Sequence, residues 1–209
     1  MNKALRNPSE TRERLIQAVT RLILQQGFAA TSVEAICREA GVTKGSFFHH
    51  FKTKEAIGLA AVDAWSDMGT ALYSEAWRES SAPALKQLHA MFDIMEGFSQ
   101  CPDAPCVCVV GMMSQELALA NPEVAQHCRK ALALWTANVS RLLDAAKQQH
   151  PVSPQFDSDA IAWFLNGIWQ GSMLIAKTQA NPGILTANLR HARAYLDSLF
   201  APEPSLNPN

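Results

Sequence analysis

The sequence predicts an all-α fold of about nine helices, and three observations carry that prediction. Apolar residues recur at three- and four-residue spacing rather than alternately, runs of β-branched residues are nearly absent, and capping residues punctuate the chain from end to end. With 209 residues, 48% of them apolar, the chain is long enough to bury a sizeable core.

The elements follow in order. Ser9 heads a first helix that runs to Gln26 and buries Leu15, Ala18, Val19, Leu22 and Ile23, and Gly27 ends it in the left-handed backbone region that suits glycine. Thr31 with Glu34 three residues later reads as a capping box, each side chain satisfying the other's free backbone donor, and Gly41 stops this short second helix. Val42 and Thr43 lead into a third helix over Lys44 to Phe51. Thr53 then caps a long fourth helix that carries Ile57, Ala61, Trp65, Met68 and Leu72 on one stripe. Further on, Pro83 opens a helix to Ser99. Asn121-Pro122 and Asn181-Pro182 each set a cap before a first-turn proline, and Asp157 or Ser158 starts the helix between them. Cys101 to Pro105 is the expected irregular stretch, residues 1–8 and 201–209 are expected to fray, and no internal repeat suggests a solenoid.

Charge is informative only when divided. The whole chain has a formal net charge of -1, but residues 1–55 hold nine Lys or Arg against five Asp or Glu, a net of +4, which leaves -5 for residues 56–209. The basic end is the N-terminal one. No apolar run approaches the roughly 18 to 20 residues of a membrane span, and the start of the chain lacks the apolar core of a secretory signal. A cytoplasmic protein without a membrane partner is expected. The five cysteines form an odd, irregularly spaced set, as expected of reduced thiols rather than a disulfide framework.

A short helix, a Gly-containing turn and a second short helix, resting on a longer one, make the sequence form of a helix-turn-helix. The second short helix begins Thr43-Lys44-Gly45-Ser46, which presents hydroxyls and an ammonium at the helix's positive end, a composition suited to phosphate. Gly45 and Ser46 cost helix propensity but let a groove wall approach the backbone, and Lys44 can reach a guanine edge or a phosphate. Phe48, His49 and His50 continue the exposed surface, while Phe47 and Phe51 anchor the helix on the core. The plainer reading is an aromatic core corner with solvated histidines. A metal pair from His49 and His50 is not expected, because helix neighbours one apart do not face each other.

The run from Thr31-Ser32-Val33-Glu34-Ala35-Ile36 through Gly41-Val42-Thr43-Lys44-Gly45-Ser46 to Phe48-His49-His50-Phe51-Lys52-Thr53-Lys54-Glu55 resembles the DNA-binding signature of TetR-family repressors. The resemblance covers the first 55 residues and implies a three-helix DNA-binding domain over residues 9–55, followed by a helical ligand-binding and dimerisation domain over 56–200. It implies that Thr43, Lys44, Gly45, Phe48, His49 and His50 face operator DNA, and that Thr31, Ser32 and Lys54 hold phosphates. Phe48 departs from the pattern: the family usually has Tyr there, whose hydroxyl commonly contacts a phosphate. A repressor of this size needs two half-sites for useful specificity, so a homodimer on a palindromic operator is expected. The last two helices, near 158–178 and 183–200, have apolar faces with Gly167 and Gly171 permitting close approach; they pack within the chain or, as the family resemblance implies, form the dimer interface.

Beyond residue 56 aromatic and Met side chains mix with a few polar groups. Trp65, Met68, Phe92, Met95, Met113 and Trp135, then Trp163, Asn166, Gln170, Met173 and Lys177, suit either a pocket for a small, moderately apolar effector or an ordinary core. Cys101, Cys106 and Cys108 lie within eight residues, and Pro105-Cys106 reads as a helix start that would lower the thiol pKa, making Cys106 the candidate redox sensor. This segment and the later Ile175-Ala176-Lys177 resemble the N-ethylmaleimide-repressor branch of the family, which implies an electrophile response through cysteine, with Lys177 beside Cys106. Two alternatives stay open: cysteines as small buried hydrophobes, and a metal-responsive set of Cys101, Cys106, Cys108, His127 and Cys128. No cofactor is expected. No nucleophile with an orienting base and no Gly-rich phosphate loop is evident, so an enzyme is not expected. A helical interaction adaptor would account for the apolar faces but not for Thr43 to His50.

Overall fold

The computed structural model describes residues 8–78, 82–99, 107–150 and 155–200. Among them the chain forms nine helices and no strand: α1 (Pro8–Gln26), α2 (Val33–Ala40), α3 (Lys44–His50), α4 (Lys54–Arg78), α5 (Ala84–Ser99), α6 (Val109–Leu117), α7 (Pro122–Gln149), α8 (Ser158–Thr178) and α9 (Gly183–Leu199). None of the described helices is long and apolar enough to cross a membrane.

The caps explain the boundaries. Gly27 has φ +87 and Gly41 φ +63, left-handed values that only a residue without Cβ adopts cheaply, and both stop their helices. Asn121 Oδ1 accepts the N–H groups of Glu123 and Val124, and Asp157 Oδ1 those of Asp159 and Ala160, so the prolines and acids in these first turns sit at orphan-donor positions as read from sequence. Thr53 Oγ1 likewise accepts Ala56 N–H at 3.0 Å at the head of α4.

The chain forms two compact units, one of Met1–Gly69 with Val107–Ala131 and one of Thr70–Cys106 with Leu132–Asn209. In the first, α1 packs against α2 and α6, and α2 against α3, around the fully buried Leu15, Ile23, Ile36, Phe47 and Ile57. In the second, α9 packs against α5 and α8 over Leu88, Met91, Leu189 and Leu196. Arg193 ties α9 to α5 by donating to the His89 carbonyl, pairing with the Asp93 carboxylate and lying over the Phe92 ring at 5.5 Å. Between α7 and α8, Asn166 Nδ2 donates to Thr136 Oγ1 at 3.0 Å and Ser158 Oγ to Asp144 Oδ1 at 2.6 Å. The buried Asn166–Thr136 pair sets the register of the two helices, since a one-residue slip would orphan it.

Four local expectations are corrected. Helix α1 starts at Pro8, so Ser9 lies inside it rather than capping it. The cap of α2 is Ser32, whose Oγ accepts Ala35 N–H at 3.1 Å, and not Thr31. Helix α6 begins at Val109 with Cys108 in the cap position, so the start expected at Pro105-Cys106 moves down the chain; Pro105 and Cys106 themselves fall outside the described residues. The stripe on α4 is buried only at Ile57 and Ala61, whereas Met68 and Leu72 are 45% and 40% exposed.

Candidate nucleic-acid interface

The surface built around α3 begins with two buried rings. Phe47 is fully buried and Phe51, which ends the helix, nearly so; Phe51 has the Arg12 guanidinium 5.2 Å above its face. These anchors fix which side of so short a helix turns outward. On that side Thr43, Lys44, Gly45 and His49 are exposed and Phe48 is 46% exposed, its ring edge-on to Phe47 with centroids 5.2 Å apart. Thr43 caps α3 by accepting Ser46 N–H at 3.2 Å. Among the described residues an added Cβ at Gly45 would meet only Thr43 Oγ1, at 3.8 Å, so they leave the backbone there open to close approach.

One flank of α3 faces an open cleft of about 630 Å³ between the start of α1 and the end of α2, with Thr11, Cys37, Arg38, Thr43, Ser46, His49 and His50 on its walls. The imidazoles of His49 and His50 touch edge to face with centroids 5.0 Å apart, closer than neighbouring helix positions were expected to bring them. Burial, with the charges of His49 and Arg12, lowers the pKa of His50 from its usual 6.5.

The phosphate-holding residues implied by the resemblance divide. Ser32 is exposed at the head of α2. Thr31 is 1% exposed, and its hydroxyl donates to the Gly27 carbonyl at 2.7 Å while Gln26 Nε2 reaches it at 3.3 Å. Thr31 therefore fastens the α1–α2 loop, its hydroxyl bonded within the chain. Lys54 donates to the Ala29 carbonyl at 3.3 Å and stands over the Phe28 ring at 4.4 Å, so its ammonium is also engaged within the chain.

Two acidic residues make contacts in this region that the sequence did not show. Glu34, expected to cap, pairs instead with the Lys44 ammonium from α2 to α3, and that pairing lowers its pKa. Glu116 on α6 accepts the backbone N–H groups of Phe28 at 3.1 Å and Ala29 at 2.6 Å. Neither pairing has a local sequence signature, since both join separate elements.

The candidate effector residues fall in both units. Met113 is fully buried and Trp65 half-buried in the first, where Met68 is exposed. In the second, Phe92, Met95, Asn166 and Met173 are buried, Trp135 and Gln170 half-buried, and Trp163 and Lys177 exposed. The indole Nε1 of Trp135 and the amide Oε1 of Gln87 are buried without a hydrogen-bond partner among the described residues. Of the cysteines, Cys37 and Cys128 are buried, with thiol pKa values raised chiefly by desolvation, and Cys108 is half-buried; Cys101 and Cys106 lie outside the described residues. His127, one member of the alternative metal set, instead pairs through Nδ1 with Asp63 at 2.8 Å, and no group of three or more ligand-type side chains gathers among the described residues.

Residues 15–61 match the family model of bacterial regulatory proteins of the tetR family, and residues 84–192 match that of the tetracyclin repressor-like C-terminal domain. The chain is similar to the transcriptional regulator AcuR of Cereibacter sphaeroides, 27% identical over 80% of this chain and 77% of that protein. It is also similar to the HTH-type transcriptional repressor NemR of Escherichia coli, 26% identical over 88% of this chain and 92% of the relative. Among solved structures, a regulatory protein TetR from Rhodobacter sphaeroides superimposes with a TM-score of 0.78 at 26% identity, over 88% of this chain and 98% of the other.

Proposed function

The chain belongs to the TetR family of bacterial regulatory proteins and is a DNA-binding transcriptional regulator; from that premise we propose a homodimeric repressor that is released from a palindromic operator by an effector. Residues 9–55 would read DNA, and residues 56–200 would take the effector and form the dimer. The observation that carries the DNA reading is the two-sidedness of α3: Phe47 and Phe51 are locked inside, while Lys44, Gly45, Phe48 and His49 are turned out. Half-sites one turn of DNA apart would be read by the two copies of α3. Support for the dimer comes from α8 and α9, where Trp163, Phe164, Leu174, Ile175 and Tyr195 are 40% to 49% exposed and where Gly167 and Gly171 leave open space at their Cβ positions.

For the effector, the buried Trp135 indole N–H and Gln87 amide oxygen, each without a partner among the described residues, favour a small molecule that offers an acceptor to the first or a donor to the second, because a buried polar group without a partner costs about 1–3 kcal/mol. Similarity to NemR, together with Cys106 and Lys177 in the sequence, supports a second reading in which an electrophile modifies Cys106. In either reading effector and operator weaken each other's binding by the same factor.

The test is binding of the purified dimer to the intergenic DNA upstream of its own coding region. Lys44→Ala and His49→Ala should each lose specific binding with unchanged helicity; binding that survives both would remove α3 as the reader. Treatment with a mild electrophile, with Cys106→Ser alongside, separates the two effector readings. Release in the wild type alone supports the thiol, and no release in either points to the reversible ligand.

A further inference from the structure

The Glu34–Lys44 pair is an ion pair that neither helix needs. Helix α2 is capped by Ser32 and ended by Gly41, and α3 is capped by Thr43, so both helices are closed at these ends without the Lys44 ammonium. Both side chains are 57% exposed, and ion pairs at such exposure add little to folding stability. Its effect falls elsewhere, on the charge that α3 presents. Lys44 opens α3 on the outward side, beside Thr43, Gly45, Phe48 and His49, and with Glu34 against it the charge of its ammonium is balanced by a carboxylate.

We propose that Glu34 is a specificity-determining residue: it holds the Lys44 ammonium in a neutral pair, so that DNA must compete for it, and thereby suppresses sequence-independent binding. The inference rests on α3 being the DNA-reading helix. Sequence-independent affinity comes almost entirely from Lys and Arg neutralising phosphates, and each phosphate neutralised adds about 0.9 to the slope of log K against log salt. On arbitrary DNA, a phosphate has only its own attraction to set against the Glu34 carboxylate. On the operator, base-edge contacts from the rest of α3 seat the helix and offset the loss of the pair, so the penalty discriminates between the two. Arg21 and Glu39 form a second exposed pair in this unit, at 2.8 Å, but from α1 to α2 and without a residue of α3, whereas Glu34 pairs with the first residue of α3.

The experiment uses the full-length dimer, a random-sequence duplex and the upstream intergenic fragment, each titrated over a range of salt. Glu34→Gln should tighten binding to the random duplex about fivefold at low salt and steepen its slope by about 0.9, with a smaller gain on the upstream fragment, so that the specificity ratio falls. Glu34→Asp should restore the ratio in part. In a Lys44→Ala background Glu34→Gln should have no effect on slope or affinity. An unmoved slope in Glu34→Gln, or an equal effect with and without Lys44, overturns the role assigned to Glu34; failure of the wild type to bind either duplex would instead overturn the DNA reading itself.

Discussion

Glu116 accepts the backbone N–H of Phe28 at 3.1 Å across 88 residues of sequence, and its second oxygen takes the N–H of Ala29 at 2.6 Å. One carboxylate thus satisfies two donors in the loop between α1 and α2 and fixes the end of α6 to that loop. Gly27 is part of the same arrangement: a Cβ there would stand 2.6 Å from Glu116 Oε1, and its φ of +87 is a conformation side chains resist.

Glu116→Ala is expected to lower stability by about 1 kcal/mol, at the low end for charged hydrogen bonds because the carboxylate is exposed. The amides of Phe28 and Ala29 should show the loss most directly, with hydrogen exchange accelerated about fivefold while the amides of α1 change less. Gly27→Ala should cost about 1–2 kcal/mol from strain and the collision together. Unchanged exchange at both amides in Glu116→Ala would show that the clasp does not hold in solution.

Phe48→Tyr should strengthen DNA binding. The ring is 46% exposed, so a hydroxyl has room, and in the family's usual pattern Tyr at this place reaches a phosphate. A phosphate contact carries no sequence information, so operator and random duplex should both gain, by about fivefold. A gain confined to the operator, or none, argues that Phe48 faces a base or no DNA at all.

Trp163→Glu and Ile175→Lys place charge on the exposed apolar face of α8. If that face joins two copies, sedimentation velocity should show dimerisation weakened about a hundredfold or more in favour of monomer, with operator binding lost and helicity retained. A dimer that resists both substitutions would move the interface off α8.

Stability should rise with pH across the titration of His50. Its folded-state pKa is lowered below 6.5, so at pH values between the two the unfolded chain binds more protons, and folding gains as pH increases. The contribution is complete above the unfolded pKa and lost as pH falls through the folded one. Urea melts from pH 5 to 8 should show this rise, and His50→Gln should flatten it; an identical curve in the variant would assign the rise to another group.

Cys37 and Cys128 should be unreactive in the native state. Burial raises both thiol pKa values, Glu34 adding to the effect at Cys37, and the residues are 5% and 2% exposed. Alkylation at neutral pH, mapped by mass spectrometry, should be slower at each by on the order of a hundredfold or more than in urea. Rapid native labelling of either would mean that its helix opens readily.

The helices and most of their ends were legible because capping is local chemistry: Gly27, Gly41, Thr43, Thr53, Asn121 and Asp157 act on backbone groups within a few residues of themselves. The two-sidedness of α3 was legible too, since the placing of Phe47 and Phe51 follows from helical spacing. What local chemistry leaves undecided is which of two similar neighbours takes a role. Thr31 and Ser32 both offer a hydroxyl before α2, and only the packing of Thr31 under the Gly27 carbonyl makes Ser32 the cap. Likewise Met68 and Trp163 fit an apolar pocket by composition, yet tertiary packing leaves both nearly half exposed. The partners of Glu34 and Glu116 were beyond reach for the same reason: a carboxylate's neighbours depend on which elements meet, and that is decided by the burial of whole helix faces rather than by any residue's own spacing.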